Sequence, residues 1–553
     1  MSYLLLPGRH LVNTRFQETY LLRVLRMPVA ALPFQSRGAA LPDEPLDEIV
    51  FAVTSSNQQN SRYNPIPFHV RAIGVDRFAR RVADALGVGH RIVGVPHFGH
   101  STRFAGHTLR EIEEQTEGRL RLTPQNTIVV CATPEVIAMY EKLGFGILPG
   151  ELAEPPERRP LAPVDLIRRI AELGDGWSSN ADLREALSPA SFSLFTDFPD
   201  VPVRVARLYR DPLLNDEGSL TSTRNYAVYA WQMSNPAAVE LKYRDIRPAV
   251  VPGKIVDEGC ADGALLVPIA RDFPDSDLVG IEITGEFLGQ CQERLRRCDF
   301  GGTYVHFHQR NLMEEIFEPS SIDTTICNST VHELWSYGQQ AQTIATYLAR
   351  KHRQTCRGGR IVIRDVVGPD QRDAEVCLWC NDADGDSAAD PLALFTDAGA
   401  LAKHLASLTT AGRFRRFARD FLVAFCAAGR RAEADKVRYR EETIAGRRYF
   451  VLRLKDAAEF LLKKDYLDSW DSEMHEEFAH WSFGDWKSHL AAAGFHVIED
   501  PNDPESGSRA YANPWIVDHR YRGKVELYAR TNDGALRQIE FPPTNVVMVG
   551  EKR

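Results

Sequence analysis

The chain has 553 residues, of which 44% are hydrophobic and 25% charged, with a formal net charge of −9 and a mean hydropathy of −0.29. These values are typical of a soluble protein with about two to four domains; they do not indicate a nucleic-acid partner, but they leave one open, and they say nothing about oligomeric state. No apolar run reaches the roughly 18 residues that cross a bilayer and no secretory leader is recognisable, so we expect no membrane partner and a cytoplasmic location.

The chain begins with a predicted strand, turn and helix. The apolar run Tyr3 to Leu6 is followed by a glycine-containing turn and then by a segment with helical spacing. The turn resembles the opening of nucleotidyltransferases of the nicotinamide mononucleotide adenylyltransferase type, whose signature is Gly-Arg-Phe-x-Pro-x-His-x-Gly-His. Gly8 and Arg9 match this signature, Thr14 falls on its first histidine and Gln17 on its second.

Later segments of residues 1–182 agree with this resemblance. Apolar strands are predicted at 47–53 and 126–130, and a later helix resembles the one that carries the family's phosphate-contacting arginine. Ile167 occupies the place of that arginine, and Arg168 lies next to it. The resemblance implies a nucleotide-like ligand held by Gly8, Arg9, Thr14, Gln17 and Arg168. In that chemistry the histidines stabilise charge on the transferred phosphates, and Gln17 cannot carry a positive charge. An active transferase and a scaffold without a ligand therefore both stay open.

Residues 183–249 are predicted to be a mainly helical connection to a second domain. Within it, the segment 224–233 has helical spacing and carries Tyr226, Tyr229 and Trp231. We expect these aromatic side chains to cover the ligand pocket of the domain that follows.

A second strand, turn and helix lies at residues 254–272. The strand ends in Asp257, and Gly259 and Gly263 flank the turn before the helix. A second apolar run ends in Glu282, about 20 residues beyond the glycines, where an acidic side chain can reach a ribose held over the first turn. The glycine spacing differs from G-x-G-x-x-G, whose second glycine makes room for a pyrophosphate, so the pattern favours another nucleoside-containing cofactor.

This turn resembles motif I of class I S-adenosylmethionine-dependent methyltransferases, and the likeness continues through three further predicted strands. It implies S-adenosylmethionine as the cofactor, with Glu282 at the ribose and Arg310 and Asn311 near the adenine. Asn328 and Ser329 follow the fourth strand of the family pattern, at the edge where such sheets bind ligands. The resemblance places the methionine part of the cofactor against the first turn, at Asp257, Gly259, Cys260, Asp262 and Gly263.

His332 and Glu333 come directly after the fourth predicted strand and are the candidate catalytic residues. Methyl transfer from a sulfonium needs an aligned, unprotonated acceptor, and a histidine or glutamate can serve as general base. Adjacent side chains on a helix diverge, so we expect only one of the two to face the acceptor. An alternative is that His332 only caps or packs the helix.

The predicted fold class is α/β, with two Rossmann-like domains. The second is expected to hold a seven-stranded class I methyltransferase sheet, with strands one to five in residues 250–370, a mostly helical insertion at 371–480 that caps the substrate, and the closing strands at 481–553. Cys377 and Cys380 in the insertion have no second cysteine pair, and the nine cysteines of the chain are otherwise scattered. We therefore expect no disulfide framework and no metal site.

These patterns together predict methyl transfer from S-adenosylmethionine to a small-molecule or nucleotide-containing acceptor, with the N-terminal domain binding a nucleotide-like group. A bifunctional nucleotidyltransferase and methyltransferase is a second interpretation. The third is a nucleotide-sensing regulator without catalysis. The acceptor and the atom that is methylated are not indicated by the sequence.

Overall fold

The computed structural model describes residues 2–38, 45–98, 101–150, 162–211, 214, 236–427, 429, 431–499 and 506–553. The chain divides into two compact units, Met1–Thr221 and Ser222–Arg553. Among the described residues no helix is both long and apolar enough to cross a membrane.

The first unit is built on a parallel sheet. Its strands are β1 (Tyr3–Gly8), β2 (Glu48–Thr54), β3 (Gly89–Val95), β4 (Thr127–Cys131) and β5 (Gly146–Pro149). They lie in the order β3-β2-β1-β4-β5 and every neighbouring pair is parallel. The central strands are near-continuous apolar runs because helices cover both faces. The order is that of a Rossmann-like sheet, as predicted.

The helices of this unit are α1 (Arg15–Val24), α2 (Phe68–Leu86), α3 (Phe104–Gln115), α4 (Pro134–Lys142), α5 (Pro163–Leu173), α6 (Ala181–Ala186), α7 (Pro189–Asp197) and α8 (Asp200–Arg210). Ile170 of α5, Leu194 of α7 and Val205 of α8 share one buried core. The prediction that a connection begins at residue 183 is therefore wrong, because α6 to α8 complete the first unit. The predicted aromatic cover, Tyr226, Tyr229 and Trp231, lies outside the described residues.

The second unit has two sheets. Its strands are β6 (Lys254–Glu258), β7 (Asp277–Glu282), β8 (Val305–Gln309), β9 (Ile322–Asn328), β10 (Thr355–Val366), β11 (Glu375–Cys380), β12 (Tyr439–Ile444), β13 (Arg447–Arg453), β14 (His496–Val497), β15 (Arg509–Tyr511), β16 (Val525–Arg530), β17 (Leu536–Gln538) and β18 (Asn545–Glu551). The main sheet has the order β14-β18-β10-β9-β6-β7-β8, and β15 also pairs with β18. Strands β6 to β10 are parallel, whereas β18 is antiparallel to both β10 and β14. The predicted seven-stranded sheet thus gains the short strand β15 at its antiparallel edge.

Helices cover both faces of the main sheet. Those of the second unit are α9 (Pro236–Ile246), α10 (Leu266–Asp272), α11 (Gly285–Arg296), α12 (Val331–Tyr337), α13 (Ala341–Gln354), α14 (Ala398–Ser407), α15 (Thr410–Asp420), α16 (Val423–Ala427), α17 (Leu454–Lys463), α18 (Trp470–Glu473), α19 (Phe483–Ala492) and α20 (Pro514–Ile516). Side chains of α9 to α11 pack on one face of the sheet, and those of α12, α13 and α19 pack on the other. The capping box of α19 satisfies the backbone N–H groups at Ser482 and Asp485.

The segment predicted to be a mostly helical insertion holds, among its described residues, three strands besides its five α-helices. Strands β11, β12 and β13 join β16 and β17 in an antiparallel sheet of order β12-β13-β11-β16-β17, so β16 does not complete the main sheet. The strand β12 is rich in arginine and glutamate and largely exposed, and so it lacks the apolar alternation that signals a strand. Cys377 and Cys380 of β11 belong to different cores, since side chains three apart on a strand point to opposite faces.

Candidate active site

The turn after β6 is shaped by its glycines. Gly259 and Gly263 have φ values of 73° and 76°, which side chains disfavour. A Cβ atom on Gly259 would also lie 2.5 Å from the hydroxyl oxygen of Thr330. The turn therefore packs directly against the segment that connects β9 to α12, and the ends of β6 and β9 meet here.

Glu282 ends β7 beside this turn. One carboxylate oxygen accepts a hydrogen bond from the backbone N–H of Ala261 at 3.0 Å, and the other accepts from Ile283 and Thr284 at 2.8 and 2.9 Å. Burial raises the pKa of Glu282 to about 7, although the hydrogen bonds from Thr284 and Ile283 oppose that rise. The side chain fixes the turn and leaves acceptor capacity at the predicted ribose position.

Asp257 and Asn328 carry side-chain oxygens suited to a polar ligand. Both are buried, and Asp257 Oδ2 and Asn328 Oδ1 have no hydrogen-bond partner among the described residues. Burial raises the pKa of Asp257 to about 7. Because a buried polar atom without a partner is costly, these two atoms indicate where a ligand donor belongs.

Lys242 of α9 lines the same recess, together with Asp257, Gly259 and Asn328. Burial lowers the pKa of Lys242 to about 8, and the charge of Arg364 lowers it further, while Asp257 opposes both. The sequence interpretation missed this lysine, because nothing in the local pattern of α9 distinguishes it from a solvated residue. Its arrival beside Asp257 depends on the packing of α9 against the sheet.

Asp262 and Cys260 have local partners. Asp262 is buried and forms an ion pair with Arg294 of α11, whose Nε also donates to the Asp262 carbonyl at 2.8 Å. Cys260 is buried in the core of the unit. Both residues line the recess, but the Asp262 carboxylate locks the turn to α11 and the Cys260 side chain packs inward.

Arg310 and Asn311 follow β8, as predicted. Arg310 donates its backbone N–H to the Glu282 carbonyl at 3.0 Å, so it joins the ends of β7 and β8. The side-chain oxygen of Asn311 accepts from the backbone N–H of Met313 at 2.9 Å. Ser329, with φ of 55°, donates its backbone N–H to the Arg364 carbonyl at 2.7 Å. The predicted residues therefore stand at neighbouring strand ends, and these hydrogen bonds shape their loops.

His332 lies in a buried polar cluster at the start of α12. Its Nδ1 is 2.6 Å from Asp365 Oδ1, and its Nε2 is 3.5 Å from Glu476 Oε2. Burial by itself lowers the pKa of His332, but the charges and hydrogen bonds of Asp365 and Glu476 outweigh burial and raise that pKa above its usual value. Asp365 also accepts the backbone N–H groups of Val331 and Val366, each at 2.8 Å.

The side chains of His332 and Glu333 were expected to diverge, but in the structure they converge. One nitrogen or oxygen atom from each of His332, Glu333 and Glu476 lies within 4.8 Å of the other two. Burial has the larger effect on the pKa of Glu282, but the charge of Glu333 also raises it. The cluster is therefore within electrostatic range of the predicted ribose position. Glu476 belongs to a segment more than a hundred residues away and was not found from the sequence.

The first unit has a cavity of about 300 Å³ at the ends of β1 and β4. Gly8, Arg9 and Gln17 are among its lining residues, but Thr14 and Arg168 are not. Arg168 instead pairs with Asp165 at 3.1 Å on an exposed face of α5, so its contact with a ligand in this cavity stays a prediction.

Thr14 and Gln17 form a capping box at the start of α1. The Thr14 hydroxyl accepts the backbone N–H of Gln17 at 3.0 Å, and the Gln17 side chain accepts the backbone N–H of Thr14 at 2.9 Å. The buried Arg71 donates to the backbone carbonyls of Arg9 and Thr54 at 2.7 and 2.8 Å. The polar side chains around this loop are thus largely engaged in holding its backbone.

Comparisons with known proteins bear on the second unit. Residues 252–408 match a family model described as a methyltransferase domain, and this match contains the turn after β6, Glu282 and the start of α12. Residues 252–408 are therefore assigned to a methyltransferase domain. The buried oxygens of Asp257 and Asn328 beside a glycine turn suit the polar methionine end of S-adenosylmethionine, the cofactor that the sequence predicts.

Solved structures of methyltransferases resemble the chain only distantly. An S-adenosylmethionine-dependent methyltransferase from Methanosarcina mazei is 12% identical, with 56% of this chain and 96% of that chain covered and a TM-score of 0.28. One from Mesorhizobium loti is 13% identical, with 58% and 100% covered and a TM-score of 0.31. Geranyl diphosphate C-methyltransferase from Streptomyces coelicolor is 16% identical, with 29% and 55% covered and a TM-score of 0.21. A search of curated proteins finds no match.

Proposed function

We propose that the chain transfers a methyl group from S-adenosylmethionine to a small-molecule or nucleotide-containing acceptor. Bound S-adenosylmethionine supplies an activated methyl group on a sulfonium. The observation that carries the proposal is the juxtaposition of the buried Asp257 carboxylate with Lys242, beside the carboxylate of Glu282 at the next strand end. Opposite charges placed together suit the amino and carboxylate groups of an amino acid, and the neighbouring acceptor suits a ribose.

Each end of the cofactor is assigned to residues of this chain. Asp257 and Asn328 accept from the amino group, and Lys242 pairs with the carboxylate. Glu282 accepts from the ribose hydroxyls, and the loop of Asn311 borders the adenine. This assignment is supported by the unpartnered oxygens of Asp257 and Asn328, which gain a donor when the amino group is present.

The methyl acceptor binds next to the cluster at the start of α12. Methyl transfer requires an acceptor atom with a free electron pair, aligned with the bond that breaks. His332, Glu333 and Glu476 converge there, and we assign to this cluster the task of stabilising the unprotonated acceptor. Asp365 positions His332 through the hydrogen bond to Nδ1.

The test is turnover with a labelled methyl group. Full-length protein is incubated with S-adenosylmethionine carrying a tritiated methyl group and a fractionated cell extract, and S-adenosylhomocysteine is measured. We expect formation of S-adenosylhomocysteine that depends on one extract fraction and falls at least tenfold in Glu333→Gln. Cofactor that binds but gives no labelled product with any fraction would favour the non-catalytic regulator.

We assign a nucleotide-like ligand to the cavity of the first unit, at Gly8 and Arg9. The cavity lies at the carboxyl ends of parallel strands, where α/β sheets bind ligands. Active nucleotidyl transfer is disfavoured, because Thr14 and Gln17 stand on the histidine positions and cap α1. We expect the protein to bind an adenine nucleotide and to release no pyrophosphate from labelled nucleoside triphosphates; pyrophosphate release would establish the bifunctional alternative.

A further inference from the structure

The start of α12 brings three potential metal ligands together from distant parts of the chain. His332 and Glu333 follow β9, whereas Glu476 follows α18. One ligand atom from each lies within 4.8 Å of the other two, and His332 and Glu476 are buried. Imidazole and carboxylate groups are the ligands that first-row transition ions take together.

The second ring nitrogen of His332 is arranged as in metal sites. Asp365 accepts two backbone N–H groups at one oxygen and a third at the other, so it faces His332 as a carboxylate that accepts a hydrogen bond from Nδ1–H. In the neutral imidazole, which is the form that binds a metal ion, the lone pair lies on Nε2, on the side away from Asp365. A ligating histidine almost always has such a carboxylate or carbonyl partner, which fixes its ring and raises its basicity.

The distance between His332 and Glu476 fits two ligands on one ion. Nε2 and Oε2 are 3.5 Å apart, whereas an N–H···O hydrogen bond spans about 2.7–3.2 Å. Two ligand atoms on a tetrahedral ion, with metal–ligand distances of about 2.0–2.2 Å, lie about 3.3–3.6 Å apart. The 3.5 Å between Nε2 and Oε2 therefore matches two ligands on one ion and exceeds a hydrogen-bond distance.

The segment carrying Glu476 is held firmly in place. Its backbone carbonyl accepts from the buried Lys463 at 2.6 Å, and the next residue, Glu477, donates its backbone N–H to Ser336 at 2.8 Å. Glu477 also accepts from Trp335 at 2.7 Å and pairs with Lys455. These contacts tie the segment to α12 and leave Glu476 opposite His332.

We propose that His332, Glu333 and Glu476 bind one divalent first-row transition ion, such as Zn²⁺ or Mn²⁺. Three protein ligands leave coordination positions open, which is the pattern of a catalytic rather than a structural ion. The catalytic role of the ion, unlike its binding, rests on the proposed methyl transfer. In that reaction an acceptor oxygen or nitrogen occupies an open coordination position and is stabilised there in its unprotonated form.

The experiment measures metal binding by the untagged full-length chain after treatment with a chelator. The protein is dialysed against Zn²⁺ or Mn²⁺, and bound metal is quantified by mass spectrometry. We expect one ion per chain, and a Kd at least tenfold weaker in His332→Gln, Glu333→Gln and Glu476→Gln. Glu473→Gln is the matched control, because Glu473 is a buried carboxylate of the same segment that lies outside the three-ligand group; its metal affinity should equal that of the unmodified protein.

Failure to bind a stoichiometric ion would overturn the proposal, as would an equal loss of affinity in Glu473→Gln. If the variants of His332 and Glu476 do not fold, two further measurements test the site. One is metal binding by Glu333→Gln, since the Glu333 side chain is only half-buried, and the other is anomalous diffraction from crystals soaked in Mn²⁺. A peak between the three side chains supports the site, and no peak there refutes it. Calorimetry with S-adenosylhomocysteine on the same preparations tests the methyltransferase assignment separately, since cofactor affinity should survive loss of the ion.

Discussion

Glu282 has two tasks, and its carboxylate carries both. Its carboxylate accepts three backbone N–H groups of the turns beside it, and we assign it the ribose of the cofactor. Glu282→Ala should weaken binding of S-adenosylhomocysteine at least tenfold, about 1.4 kcal/mol, as measured by calorimetry. Glu286→Ala is the matched control, because Glu286 is exposed in the next helix and should bind normally. Unchanged affinity in Glu282→Ala would refute the ribose contact.

Lys242 predicts a pH dependence of cofactor binding. Burial lowers its pKa to about 8 in the free protein, so the ammonium form is fully present only below that pH. A ligand carboxylate favours the ammonium form; affinity for S-adenosylhomocysteine should therefore be highest below pH 8 and fall by up to about tenfold per pH unit above it. Calorimetry between pH 6.5 and 9.5 measures this fall.

Lys242→Arg separates the lysine from the ligand's own amino group, which titrates at about pH 8. Arginine stays charged throughout this range, so the difference between the two proteins reports Lys242 alone. We expect the steeper fall only with lysine, and Lys242→Ala should bind weakly at every pH. Parallel pH profiles for the lysine and arginine proteins would exclude a contact between Lys242 and the carboxylate.

A buried ion pair holds β6 to α13 beneath the active-site turn. Glu258 pairs with Lys351, and the Tyr347 hydroxyl donates to Glu258 at 2.6 Å; the side chains of Glu258 and Lys351 are 0% and 2% exposed. Removing one partner leaves an uncompensated buried charge, so Lys351→Met should destabilise the second unit by about 3–5 kcal/mol. Adding Glu258→Gln should recover part of that loss.

Urea unfolding followed by tryptophan fluorescence measures this effect, because seven of the eight tryptophans lie in residues 222–553. Arg440→Met is the control, since Arg440 forms its ion pair with Glu375 on the surface and should leave the unfolding midpoint nearly unchanged. Equal midpoints for Lys351→Met and the unmodified protein would show that the buried pair contributes nothing.

The parallel strands could be predicted from the sequence, and the second antiparallel sheet could not. Strands such as β2 and β4 are buried on both faces, so each is a short, mainly apolar run bounded by turn residues. In contrast, β12 is charged and exposed, and β11 pairs with β16, which lies far along the chain. The second sheet depends on pairing between strands that are far apart in the sequence. A short stretch of sequence does not contain both partners, so it cannot reveal the pairing.

The same distinction applies to the candidate site. Asp257, Glu282 and Asn328 stand at strand ends within one predicted pattern, and each was found from that pattern. Lys242 and Glu476 come from segments before and after it, and only the packed structure brings them to the recess and to α12. Arg168 is the opposite case: its place in the sequence suggested a phosphate contact, but its side of α5 faces solvent.

Each unit has its own buried cores, and each candidate ligand site is built from residues of one unit. The cores of the first unit lie on the two faces of the β1 sheet and under α5 to α8, while those of the second surround the main sheet and the added antiparallel sheet. Fragments divided at the unit boundary, residues 1–221 and 222–553, should therefore fold separately.

We expect the fragment 222–553 to bind S-adenosylhomocysteine within about threefold of the full-length affinity, and the fragment 1–221 to retain nucleotide binding to the same extent, because each keeps its complete set of ligand residues. Circular dichroism checks that both are folded, and calorimetry compares their Kd values with those of the full chain. Division within a unit, at residue 182, is the matched control, since it removes α7 and α8 from the core around Leu194 and Val205; the fragment 1–182 should be unstable. A folded fragment 222–553 that no longer binds S-adenosylhomocysteine would mean that the first unit supplies part of the cofactor site.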